Sequence, residues 1–342
     1  MDSHTKETNP TDSTTTIASF PFNDTNADLI LRSSERVDFY VHKSLLSLAS
    51  PVFRDMFDIG QAAQTLQGGI PVVQMSEDSD VLHKLLIWCD PRSILLPKQF
   101  TIDDISRVLS LTDKFMMEGI AGRVSMLLSE YVKEQPARVY ALAYRGCGSW
   151  GAELMRAAAW QTLKSDFPHH TRAFDDISAK ALMRLYEYRI DCITAAQSLI
   201  TDLEWIPIDK PWQHRQSSEQ FGCRCIFLKC AGGWTHVARW FVEYLQCARN
   251  SLKEKPCREA IFQHDLGPDV IDVESRQIAP IPHPRIECSA RDLDDSKTRT
   301  SFSLFQQEFA NEIDRVTKKV LDTQVYSEPQ ALTFSKVELV ID

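Results

Sequence analysis

Ala27-Asp28-Leu29-Ile30-Leu31-Arg32-Ser33-Ser34 opens the stretch that decides the fold, and Phe39-Tyr40-Val41-His42-Lys43-Ser44-Leu45-Leu46 with Ser50-Pro51-Val52-Phe53-Arg54-Asp55-Met56-Phe57 completes it. Leu29–Leu31 is a short apolar run, Arg32–Arg36 is a polar turn, and Val37, Phe39 and Val41 alternate with their neighbours. Two strands joined by a turn are the simplest reading. Leu45, Leu48 and Ala49 then recur at helical spacing until Pro51, and Val52, Phe53, Met56 and Phe57 continue as a second helical segment.

Downstream, residues 58–69 are mostly polar or small and read as a loop, and Ile70–Met75 reads as a third strand. Helical patterns follow: Val81, Leu82, Leu85, Leu86 and Cys89 up to Asp90-Pro91; Ile102, Ile105, Val108, Leu109 and Leu111; then Ile120, Val124, Leu127, Leu128 and Tyr131. Strand, strand, helix, strand and then helices make an α+β module over residues 25–132, a small sheet flanked by helices. Upstream, residues 1–24 are rich in Ser, Thr, Asn and Asp and read as a disordered tail.

Residues 133–203 read as an all-α follow-on region. Its apolar positions are Val139, Tyr140, Leu142 and Ala143; Leu154, Ala157, Ala158 and Leu163; Ile177, Ala181, Leu182 and Leu185; and a fourth helix over 190–203. The Trp/Pro-rich stretch from Trp205 to Trp212 marks a boundary at 204. The region 204–342 reads as mixed helix and loop. It has an amphipathic segment over 234–252, a Pro-rich loop over 267–300, and a helix with Phe302, Phe305, Phe309, Ile313, Val316 and Val320 on one face. Packing of that face on its own domain is preferred to a coiled-coil seam.

A hydrophobic fraction of 43% and a charged fraction of 25% are those of a globular protein with a sizeable core. The formal net charge of −9 argues against a general nucleic-acid or anionic-membrane surface. No stretch is apolar for long enough to span a bilayer or to act as a signal peptide. The expectation is an intracellular protein, cytoplasmic or nuclear, with reduced cysteines.

The three quoted stretches resemble the BTB/POZ family, which opens with Asp before an apolar strand and continues with Phe-x-Val-His-Lys-x-x-Leu and Ser-x-x-Phe-x-x-Met-Phe. Val72-Val73, Ser76-Glu77, Leu85-Leu86-x-Trp88-Cys89-Asp90-Pro91 and Asp113-Lys114-Phe115 look like the fungal-type branch. The resemblance implies a domain that binds other proteins and forms a homodimer, in a non-catalytic scaffold or adaptor. It implies core or dimer-face packing for Phe39, Leu45, Leu46, Phe53, Met56 and Phe57, and a charged pair or pocket near the dimer interface for Asp28 and Lys43. His42 reads as a structural hydrogen-bonding residue. Cullin-binding members carry an apolar-x-Glu element where this chain has Ile94–Thr101, which shows none. A cullin-type ligase adaptor is therefore the alternative partner reading.

Two motifs bear on chemistry. Gly146-Cys147-Gly148-Ser149-Trp150-Gly151 fits G-x-G-x-x-G, but the residues before it read as helix where a dinucleotide loop follows a strand. A helix–helix turn with a left-handed glycine cap is the better reading. Cys223-x-Cys225-x4-Cys230-x5-His236, with His214 upstream, is the candidate zinc site, and a zinc-binding protein or enzyme using this cluster is the alternative of a different class. Ordinary thiols without a cofactor are the default. The acid pairs Asp103-Asp104, Asp175-Asp176 and Asp294-Asp295 read as helix starts or solvated turns.

Overall fold

The computed structural model describes residues 15–59, 65–93, 100–146, 148–166, 177–206, 225–231, 233–262 and 296–325. They fall into two compact units, residues 1–131 with Ser149–Gly151, and residues 132–148 with 152–342.

The first unit carries a five-stranded sheet of order β1-β3-β2-β5-β4, from Thr16–Ile17, Leu29–Arg32, Val37–Val41, Thr65–Gln67 and Ile70–Gln74. β2 lies in the middle, antiparallel to β3 and parallel to β5. Leu29, Ile30 and Leu31 are accordingly all buried, which is why this strand reads as a continuous apolar run rather than an alternating one. Arg32 faces Asp38 across the β2–β3 register and grips its buried carboxylate at 2.6 and 2.9 Å. Two carboxylates at a time hold α3 (Ser79–Leu86) against α4 (Ile102–Lys114): Lys84 pairs with Asp80 and Asp104, and Arg107 with Asp78 and Asp80. α5 (Glu118–Ser125) and a 3-10 turn (Met126–Tyr131) close the unit.

Helix starts here follow from residue type. Ser50 accepts the Phe53 N–H at 3.1 Å and donates to the Phe115 carbonyl at 2.5 Å, while Pro51 takes the first position of α2 (Pro51–Ile59), where its missing N–H costs nothing. Thr101 and Asp104 form a capping box on α4, so the Asp103-Asp104 pair is a helix start.

Several expectations change. The tail expected to reach residue 24 is ordered from Thr16, where β1 pairs in parallel with β3; residues 1–14 lie outside the described residues. Phe22 is buried against Phe39, with ring centroids 5.7 Å apart. Within the expected loop 58–69, β4 pairs with β5 through the two-residue turn Gly68-Gly69, both at positive φ. That is the backbone a tight hairpin demands. On α1 (Lys43–Ala49) the core contact is Leu46, and Leu48 points outward.

The second unit is mainly helical: α6 (Pro136–Arg145), α7 (Ala152–Thr162), α8 (Ala179–Thr201), α9 (Arg239–Glu254), a 3-10 turn (Arg258–Phe262) and α10 (Ser296–Val325), with a hairpin of β6 (Cys225–Cys230) and β7 (Gly233–Ala238). α8 is one continuous helix where two were expected; no Pro or Gly interrupts it, and its central Tyr188, Arg189 and Cys192 are buried. The segment expected to be amphipathic over 234–252 begins as β7 and turns helical only at Arg239. Gly233, at φ 127°, supplies the turn that a side chain would resist. The start of α10 at Ser296 shortens the expected 267–300 loop.

The expected boundary at 204 does not separate two cores. Trp205 donates to the Leu199 carbonyl and stacks on Phe305 and Phe309 of α10. Of the expected α10 stripe, Phe305, Phe309 and Ile313 are buried within the second unit, whereas Phe302, Val316 and Val320 are half-buried and Leu321, outside the expected set, is buried. Arg189 is buried and donates to the carbonyls of Thr162, Ser165 and Glu254, fixing the C-terminal ends of α7 and α9. Helix α6 runs into Gly146 and residues 148–151 form a turn before α7, so no strand feeds the glycine motif. Its cap Gly146 has φ −97°, so the expected left-handed cap is not formed.

Candidate interaction surface

Strand β2 delivers Asp28 and strand β3 delivers His42 to the start of α1. His42 is the N-cap by backbone, extended at φ −99° and ψ 124°, but its side chain makes no cap hydrogen bond. Its carbonyl accepts from Leu45 and Leu46. The cap is supplied from across the hairpin: Asp28 accepts the Lys43 N–H at 2.8 Å. A carboxylate there satisfies one of the four open N–H groups of the helix and meets the positive end of its dipole.

This gives a physical reason for the Asp in the opening motif, and it differs from the side-chain pair the resemblance implied. The Lys43 ammonium lies over the Phe57 ring, 5.9 Å from its centroid. The structure thus brings Asp28 to the backbone of Lys43, with His42 its neighbour in the chain. Leu45 is half-buried beside them. Phe39, only 1% exposed, packs with Phe22 and His83 inside the unit, which is the core alternative of the two roles the resemblance implied for it.

Residues not singled out in the sequence complete the region. Arg92 donates to Asp90, to Asp24 and to the Pro21 carbonyl, pinning the N-terminal segment to the end of α3. The Arg92 hydrogen bonds hold the Asp90 carboxyl below the usual carboxylate range against the opposing effect of burial. Asp24 is lowered first by the Asn26 backbone N–H and then by Arg92. His83, edge-on to Phe22, is lowered by burial, with Asp80 raising it and Lys84 adding to the lowering. Cys89 is pushed up to about 12 by burial, which makes it inert as a nucleophile. The signal for the Arg92 fork was present as Asp90-Pro91-Arg92, but its partners lie 68 and 71 residues away.

Outward from α1 and α2, Leu48 is 86% and Ile59 84% exposed. Of Ile94–Thr101, the segment compared with cullin-binding members, residues 94–99 lie outside the described residues, Phe100 is buried beside Trp88 and Thr101 caps α4.

In the candidate metal cluster, His214 and Cys223 lie outside the described residues. Cys225 faces Ala238 in the hairpin register, Phe227 faces His236, and Cys230 faces Gly233. Cys230 is buried, and burial raises its thiol. Among the described residues no three His, Cys, Asp or Glu side chains gather as a metal site. The pairs Asp175-Asp176 and Asp294-Asp295 also lie outside them.

The α+β order, the central Leu29–Leu31 strand and the capped α1 define a small domain whose sheet is flanked by helices. Residues 20–131 match the family model of the BTB/POZ domain. The first unit is thus a BTB/POZ domain, a fold that binds other proteins, followed by a helical region, in a BTB domain-containing protein. No curated protein matches the chain. Among the described residues no helix is long and apolar enough to cross a membrane.

Proposed function

We propose that the protein is a non-catalytic interaction protein of the fungal-type BTB branch, which self-associates through its first unit and presents its helical second unit to other proteins. The observation that carries this reading is the match of residues 20–131 to a protein-interaction domain. Supporting it, two large apolar side chains on neighbouring helices, Leu48 and Ile59, stand in solvent beside a fixed helix start. Burying such side chains against a second copy would draw on the hydrophobic effect, roughly 25 cal/mol per Å² of apolar area. Asp28 contributes by holding α1 in one orientation.

Co-expression of two differently tagged full-length copies tests the reading. Recovery of one copy with the other, retained at high salt, is expected of an apolar interface; no recovery removes self-association. A parallel pull-down with a cullin N-terminal domain separates the scaffold from the ligase adaptor.

A further inference from the structure

We draw no further inference here: the strongest candidate, the outer apolar face of α8 at Met183 and Ile190, 54% and 42% exposed, carries nothing because nothing among the described residues shows what covers it.

Discussion

In the first unit, the starts of α1 and α3 and the seat of the N-terminal segment are fixed by polar side chains that arrive from elsewhere in the chain. Asp28 reaches α1 from β2, Glu35 accepts the Ser79 N–H of α3 from the β2–β3 turn, and Arg92 reaches back to Asp24 and Pro21. In the second unit the helices meet through apolar faces, with Phe305 and Phe309 against Trp205 and Phe241 against Phe305. The buried Arg189 and ion pairs such as Arg258–Asp314 and Lys164–Glu259 add polar ties between them. The first mode needs particular residue types at fixed places; the second needs only apolar side chains at helical spacing. Directional contacts can therefore define a recognisable surface, whereas the stripe defines a core and names no partner.

The contrast can be pressed from both sides. Phe309→Ala, at a fully buried position, is expected to cost about 3–5 kcal/mol through lost transfer energy and a residual cavity, read as a lower urea midpoint. Arg189→Met leaves three helix-end carbonyls without their donor; a loss of about 2–4 kcal/mol is expected in the same experiment. A neutral result there would mean that the Arg189 hydrogen bonds add nothing to the stability of the second unit. Asp28→Ala should cost about 1 kcal/mol, and Asp28→Asn less, since an amide oxygen still accepts the Lys43 N–H.

The pH dependence bears on the seat of the N-terminal segment. His83 is held below the ordinary histidine value of 6.5, chiefly by burial. As pH falls through that value the unfolded chain takes up the proton while the folded chain does not, so stability drops until the lower folded pKa is reached. Above 6.5 the contribution is complete. Urea midpoints at stepped pH should show this loss in the wild type and lack it in His83→Leu. The smallest effect is expected at Met116, exposed and at φ 52°: Met116→Gly should gain at most about 1 kcal/mol by relieving a left-handed backbone, measured as a rise in Tm.

How far the chain could be read follows from the same physics. The β2–β3 hairpin, α1 and α2 were legible because residues 28–57 combine apolar alternation with cap and turn residues, and β5 because Ile70–Met75 is a short apolar run after the Gly68-Gly69 pair. β4 was not, because Thr65-Leu66-Gln67 is too short to show a period; the signal was the Gly68-Gly69 pair after it. β7 was hidden because Trp234 and Val237 also fit a helical stripe continuing into α9, although Ala231-Gly232-Gly233 marks a turn. The ordering of residues 15–24 depends on Phe22 entering the sheet's core and on Arg92, partners too distant in sequence to be seen locally. Of the expected surface residues, Asp28 meets Lys43, but the cap that joins them is made through a backbone N–H, which side-chain identities alone do not reveal.

Self-association through the α1 face is tested most directly by sedimentation equilibrium of the full chain beside Leu48→Asp. Because Leu48 is exposed, the substitution should leave the unfolding midpoint within about 0.5 kcal/mol of wild type. A dimer for the wild type and a folded monomer for the variant are predicted; a wild-type chain that stays monomeric at roughly tens of micromolar, or a variant that dimerises equally well, would contradict the account.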